Sequence, residues 1–292
     1  MGEFPEHTNQ KNTQTRKLKD FQNPELTARH LQSETSVPDY AKAMPGKPET
    51  TDSFANLNYL NGAVLIFDKP YQWTSFDLVR KVHNTLLKTL GVKKIKVGHA
   101  GTLDPLATGL MIVCTGKMTK KIDELQNTSK EYIATLELGK TTPSFDLEKP
   151  IDQEFPTAHI TPGLVREKIP LFLGEIDQVP PLFSAKSVDG KRAYELARKG
   201  SDVELKSNRV TIHEIEVLDF ALPVLKIRVV CSKGTYIRSL ARDIGRSLDS
   251  GAHLTALQRT RSGDYDIKNA ISIDFWYQYM LSLQAEKRKV DS

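Results

Sequence analysis

The first continuous apolar run in the chain is Ala63-Val64-Leu65-Ile66-Phe67, opened by Asn61-Gly62 and closed by Asp68-Lys69-Pro70. Five apolar residues in a row between turn residues predict a strand buried on both faces. The period then changes. Val79, Val82, His83, Leu86, Leu87 and Leu90 recur at helical spacing, which predicts an amphipathic helix. Thr74 and Asp77 form the S/T-x-x-D/E signature of its N-terminus, and Gly91 is placed to end it. His83 lies on the apolar stripe and reads as a core or boundary residue.

Leu110 to Cys114 is a second short buried run. Tyr132, Ala134, Leu136 and Leu138 alternate with Ile133, Thr135 and Glu137, the period of a half-buried strand. Helices are expected over 163–174 and 191–200, and strands over 209–219 and 224–232. A helix over 235–248 carries an apolar stripe of Ile237, Leu240, Ala241, Ile244 and Leu248. Arg238, Arg242 and Arg246 sit four apart on another face. A last helix, 273–287, carries Phe275, Trp276, Met280 and Leu283. Strands and helices intersperse without strict βαβ alternation, and several strand pairs are close enough for hairpins. The pattern predicts an α+β fold whose mixed, largely antiparallel sheet is flanked by helices.

Composition adds limits. With 292 residues, 39% of them apolar, the chain can fill one large domain or two ordinary ones. No stretch approaches the roughly 18 apolar residues of a membrane helix, and the start lacks a secretory pattern. Two cysteines, Cys114 and Cys231, exclude a disulfide framework and a zinc site built mainly on cysteine. Residues 1–58 are rich in Asn, Gln, Thr, Pro and Glu, without apolar periodicity. They read as a disordered or loosely attached extension. The extension holds seven Lys/Arg against eight Asp/Glu, so of the net +5 the remainder carries +6. Six lysines, including Lys117, fall within 91–121 with Asp104 as the single acid. Six basic residues, including Arg242 and Arg259, fall within 229–263 against two acids. Such clusters suit a polyphosphate partner such as nucleic acid.

The segment most suggestive of chemistry is Gly98-His99-Ala100-Gly101-Thr102-Leu103-Asp104-Pro105-Leu106-Ala107-Thr108-Gly109. Its glycines allow backbone to approach a ligand. Asp104, biased toward an extended conformation by Pro105, is the lone carboxylate among lysines. It is expected to be ionised and poised as a nucleophile or base. No phosphate-binding G-x-x-x-x-G-K-[ST] loop occurs.

This segment resembles the catalytic motif of the TruB family of RNA pseudouridine synthases, G-H-x-G-x-L-D-P-x-A-x-G. Further blocks resemble the family in order. Phe67-Asp68-Lys69-Pro70 with Trp73-Thr74-Ser75 is similar to the opening motif, with Gln72 in place of a usual glycine. Lys130-Glu131-Tyr132 is similar to its K-x-Y motif. Pro180 to Lys186, Gly190, Ala193-Tyr194 and Ala197 to Gly200 resemble the next block. Lys233-Gly234-Thr235-Tyr236-Ile237-Arg238 and the segments 251–254 and 257–263 resemble the last two.

The resemblance implies isomerisation of uridine to pseudouridine at position 55 in the TΨC loop of tRNA. The N1–C1′ bond breaks, the uracil turns, and C5 rejoins C1′. All these atoms belong to one nucleotide, so no cofactor and no metal is expected. It further implies that Asp104 is the catalytic carboxylate, Arg238 its partner, and Tyr132 the aromatic that stacks on the flipped base. His99 meets the flipping site and Leu257 lines the uracil pocket. Lys69 and Lys186 support the site or contact RNA, and Lys117, Arg242 and Arg259 are further RNA-contact candidates. Intact Asp104, Tyr132 and Arg238 argue against a catalytically silent RNA-binding protein on the same scaffold. The expected organisation is the extension 1–58, a catalytic domain 59–263 and a helical tail 264–292, with no room for the PUA domain of many relatives. The expectation as a whole is a cytoplasmic, monomeric enzyme acting on tRNA, away from membranes.

Overall fold

The structure, a computed structural model, describes residues 57–181, 187–188, 191–192 and 206–290. The expected extension, apart from residues 57 and 58, lies outside the described residues, as do Lys186 and most of the helix expected over 191–200.

Strand β1 (Val64–Lys69) leads into helix α1 (Ser75–Leu90), then β2 (Val97–His99) and β3 (Ala107–Thr115). A 3-10 segment (Gly116–Lys121) and α2 (Ile122–Gln126) precede β4 (Lys130–Leu138). The two-residue strands β5 (Lys140–Thr141) and β6 (Gln153–Glu154) are followed by α3 (Pro162–Lys168), a second 3-10 segment (Ile169–Phe172) and β7 (Gly174–Gln178). Short strands β8 (Ser187–Val188) and β9 (Lys191–Arg192) precede the hairpin of β10 (Asn208–Ala221) and β11 (Val224–Cys231). The order ends with α4 (Ile237–Ser247), β12 (Ala252–Ser262), β13 (Tyr265–Asp266), β14 (Ile271–Ser272) and α5 (Ile273–Val290).

Among the described residues, ten strands form one sheet in the order β14-β1-β3-β12-β4-β11-β10-β7, with β2 paired to β3 and β13 to β12. The β1/β14 and β3/β12 pairs are parallel, and the remaining pairs in this sheet are antiparallel. This is the mixed, largely antiparallel α+β architecture that the hydrophobic pattern predicts. Two local expectations are corrected. The helix over 163–174 stops at Lys168, because Pro170 lacks an N–H and crowds the preceding turn. The chain goes on as a 3-10 segment and is already strand at Gly174. Lys191 and Arg192, expected at a helix start, lie in β9 instead.

Helix α1 begins as its sequence dictates. The Thr74 hydroxyl accepts from Asp77 N at 3.0 Å, and the Asp77 carboxylate accepts from Thr74 N at 3.1 Å, a cap worth about 1 kcal/mol. Gly91 closes the helix at φ 66°. The turn before α1 carries a less ordinary residue. Gln72 adopts φ 66° without being glycine, a left-handed conformation costing roughly 1–2 kcal/mol.

Two cores lie along the sheet. Leu136, Leu225, Val229, Leu240 and Ile244 join β4 and β11 to α4 in one. Leu65, Phe67, Leu78, Val82, Leu86, Met111 and Trp276 join β1 and β3 to α1 and α5 in the other. Leu78, Val82 and Leu86 are fully buried, each contributing about 2 kcal/mol. Trp276 meets the Phe67 ring edge-on at 5.7 Å. Strand β3 spans the seam: Ala107 belongs to the first core, Met111 and Val113 to the second. Leu257 of β12 lies opposite Ala107 across the parallel pair. The loop entering β3, which carries Asp104, is thus held at the junction of two packed units. Among the described residues no helix is long and apolar enough to cross a membrane.

Candidate active site

The Asp104 loop is tied down from three sides. Ser75, the first residue of α1, accepts from Leu103 N at 2.9 Å and donates its hydroxyl to Leu103 O at 3.0 Å. The Pro105 carbonyl accepts from Gln72 N at 2.9 Å and from Lys69 Nζ at 3.4 Å. Arg259, fully buried, donates from Nε to Leu110 O at 2.7 Å and from Nη2 to Gly101 O at 3.1 Å. Close approach of β3 and β12 explains Gly109, which pairs with Arg259 at φ 103°. A Cβ there would fall on the Arg259 carbonyl and 2.7 Å from its nitrogen, so no larger residue fits. This bracing leaves the Asp104 carboxylate as the part of the loop free to face a ligand.

Arg238, in the first turn of α4, meets that carboxylate at two points. Its Nη2 donates to Oδ1 at 3.1 Å, and its Nε lies 2.9 Å from Oδ2. A rigid, planar guanidinium fixes the carboxylate's plane in a way an ammonium cannot. On its other side the same guanidinium donates from Nη1 to Ser144 O at 3.3 Å and lies 3.8 Å from Asp146 Oδ2. Arg238 therefore bridges two carboxylates. Burial raises the Asp104 pKa, Arg238 opposes that shift, and Asp146 adds to it. About a third of the Asp104 side chain stays open, 36%, but it faces the cleft and the loop packs around the rest, so loss of water dominates. The expectation that surrounding lysines hold Asp104 ionised is corrected here. Lys93, Lys94, Lys96 and Lys117 are exposed and do not line the cleft. The cation that meets the carboxylate is Arg238.

The cleft has a volume of about 290 Å³. Asp104, Tyr132, Arg238, Leu257 and Arg259, predicted from sequence, converge on it together with Lys130, Lys233 and Tyr236. Tyr132 and Ala134 face inward because β4 alternates strictly between buried and half-buried residues. Burial raises the Tyr132 pKa, with neighbouring Arg259 acting against the shift, so the phenol is neutral at pH 7. Lys130 donates to Gln126 O and to Thr128 O, each at 2.6 Å, and burial brings its pKa down to about 8. The cleft is therefore aromatic and apolar along Tyr132 and Leu257, with an oriented carboxylate at one side. It can take a flat ligand against Tyr132 and Leu257, with the carboxylate facing it.

The other predicted residues sit elsewhere. Lys69 is fully buried behind the loop, donating to Trp73 O at 2.6 Å and Pro70 O at 2.9 Å. Burial lowers its pKa to about 8, against the pull of Asp104. It is a brace. His99, on β2, is half-buried and outside the cleft lining. Burial, then Arg259, hold its imidazole below its usual pKa. Lys117 is exposed on the 3-10 segment after β3. Arg242 does not line the cleft: its Nε donates to Asp243 at 2.8 Å and its guanidinium lies over Phe145 at 4.8 Å. Lys186 lies outside the described residues. Four residues went unassigned as site residues in the sequence: Lys130, Lys233, Tyr236 and Asp146. Lys130 could have been found, as the first residue of the Lys130-Glu131-Tyr132 motif. Asp146 offers only an acid in a Thr-Thr-Pro-Ser-Phe turn, and nothing local marks it as Arg238's second carboxylate.

Comparison with known proteins bears on this arrangement. Residues 88–237 match the family model described as TruB family pseudouridylate synthase (N terminal domain). Residues 238–289 match the tRNA pseudouridylate synthase B C-terminal domain. The chain is 61% identical over 231 residues to tRNA pseudouridine synthase B of Phocaeicola vulgatus, covering 79% of this chain and 98% of that protein. It is 60% identical over 235 residues to the protein of the same name in Parabacteroides distasonis, covering 79% and 100%. Among solved structures it resembles a chain of a Cbf5-Nop10-Gar1 complex, with TM-score 0.57 and 27% identity over 86% of this chain and 66% of that one. It also resembles a chain of an H/ACA RNP bound to a substrate RNA containing 2'-deoxyuridine, with TM-score 0.56 and 25% identity over 86% and 62%. The chain thus spans slightly less than two thirds of these two structural neighbours. Near-complete coverage of the bacterial relatives, with adjoining family models that meet at Arg238, makes the chain a member of the TruB family of pseudouridylate synthases.

Proposed function

We propose that this protein isomerises uridine 55 in the TΨC loop of tRNA to pseudouridine, with Asp104 as the catalytic carboxylate acting on a flipped-out nucleotide. The observation that carries the reading is the Asp104–Arg238 pair, opening onto a cleft walled by Tyr132 and Leu257. The relatives' printed name, tRNA pseudouridine synthase B, supports tRNA as the substrate. The N1–C1′ bond breaks, uracil turns within the cleft, and C5 joins C1′. The proton on C5 is lost and one is gained at N1, so the reaction balances without a redox partner. As in glycoside cleavage, the sugar becomes electron-deficient at C1′, where an ionised carboxylate is suited to act. It does so by attack at C1′ or by removing a sugar proton to give a glycal, and Arg238 aims it in both courses.

Tyr132 supplies a stacking face for the uracil and a group near C5 for the proton transfer. Leu257 packs the other side of the pocket. Extruding the base costs a few kcal/mol, offset by these contacts, with His99 meeting the stack that the target leaves. Lys69 and Arg259 act through the loop they brace. Lys117 and Lys186 contact phosphates. Arg242, already paired to Asp243, supports the Phe145 turn instead. The catalytic unit comprises 59–263, and the helical tail docks on α1.

The test is pseudouridine mapping in tRNA from cells with and without this protein, together with isomerisation of an unmodified TΨC stem-loop by the purified chain. Loss confined to position 55 supports the reading. Loss at other positions, or no turnover of the stem-loop, overturns it.

A further inference from the structure

A groove of about 780 Å³, larger than the cleft, lies between α1 and α5, with Gln72 and Trp73 also in its lining. Arg80, Lys81 and Lys88 line it from α1, against Asp77 as the single acid, and Tyr277 lines it from α5. The Lys81 ammonium sits 3.4 Å from the centre of the Tyr277 ring. Lys88 is exposed and, among the described residues, has no ion pair. Beside the groove, Phe76 and Tyr71 present 67% and 49% of their surface to solvent. Cations interleaved with exposed aromatic rings form the surface that a nucleic-acid strand uses: phosphates on the lysines, unpaired bases on the rings.

Two further observations separate this groove from an ordinary solvated helix face. Gln72 holds a left-handed conformation at φ 66°, which a side chain adopts only at a cost. A glycine would take it without strain, and Gln72 is one of the residues that line the groove. The same residue donates its backbone N–H to Pro105 O at 2.9 Å, next to Asp104. One turn, Gln72 to Trp73, thus both lines the groove and braces the loop that carries the carboxylate.

We propose that the α1/α5 groove is a second RNA-binding site, holding a stretch of the tRNA substrate away from the target nucleotide, with Lys81 and Lys88 on phosphates and Gln72 as a further contact. This rests on the reading of the cleft as a tRNA site. The experiment is a salt titration of the affinity for full-length unmodified tRNA, using the wild type, the double variant Lys81→Ala/Lys88→Ala, and Gln72→Gly. The double variant should bind about tenfold more weakly near physiological salt. Its slope of log affinity against log salt should flatten by about 2, one for each phosphate that the missing ammonium no longer neutralises. Gln72→Gly should weaken binding severalfold while its melting temperature holds or rises, since strain is removed. A purely structural role for Gln72 would not separate those two readouts. Wild-type affinity and salt slope in both variants would overturn the proposal. Failure of the cleft reading shows differently: the wild type would form no pseudouridine in the same tRNA, whatever the groove variants bind.

Discussion

Arg238 and Asp104 lie 134 positions apart in the chain, yet the Arg238 guanidinium reaches both oxygens of the Asp104 carboxylate, at 3.1 and 2.9 Å. The arginine is almost wholly buried, 4% exposed, while the aspartate faces the cleft. In the proposed reaction the cation orients and the carboxylate reacts. Each partner's removal should therefore leave a different signature.

Asp104→Asn keeps the shape of the side chain and removes its charge. Isomerisation of a TΨC stem-loop should be abolished, while the dissociation constant for that RNA stays near the wild-type value. Turnover by the variant at the wild-type rate would remove Asp104 from its role.

Arg238→Lys retains a positive charge but not the two-point grip. The rate constant kcat should drop by about 100-fold, the cost of misplacing a reacting group, with KM changed far less. Equal kcat in variant and wild type would show that orientation by the guanidinium is dispensable.

Asp146 is the second carboxylate on Arg238, and its charge raises the Asp104 pKa. In the wild type, kcat/KM should fall with acid as Asp104 protonates, with a midpoint above about pH 4, because burial places that pKa above the ordinary 3.8. Asp146→Asn should move this acid limb to lower pH. The same sign governs stability. A carboxyl whose folded pKa is raised contributes stability fully below about pH 4 and loses it as pH rises through the folded pKa. Relative to Asp104→Asn, which does not titrate there, the wild type should gain stability as pH falls. Denaturant titrations of both proteins across pH 3–7 check this.

Lys69→Met preserves volume and deletes the ammonium that serves Pro70 O, Trp73 O and Pro105 O. Leaving those part-buried acceptors without the ammonium should cost about 1–2 kcal/mol in denaturant unfolding. The loosened loop should lower kcat more than it raises KM.

Gly109→Ala should cost about 3 kcal/mol or prevent folding, because the new methyl meets the Arg259 backbone at a φ of 103°. Gly174→Ala, whose Cβ would meet nothing within 4 Å at φ 90°, isolates the backbone cost and should be milder. Comparing the two unfolding midpoints separates close approach from strain.

Local physics made much of this protein legible before any tertiary contact was known. Period-two alternation placed Tyr132 on the buried face of β4, and the Thr74–Asp77 box marked where α1 begins. Both depend on residues a few positions apart, where backbone geometry alone decides direction, whereas Asp104 stood out through the resemblance of ordered motifs to a known family. Interactions across the fold were another matter. Arg238 and Arg242 share one helical face four residues apart, yet one grips Asp104 and the other Asp243. Lys69 reads in sequence as site support or an RNA contact and is wholly buried behind the Asp104 loop. Asp146 carries no local sign of its role, and the groove beside Gln72 exists only where α1 and α5 pack together. A side chain's periodicity sets which way it leaves the backbone. What it meets there, and how far burial shifts its charge, depends on distant segments brought together by the closing of two cores along one sheet.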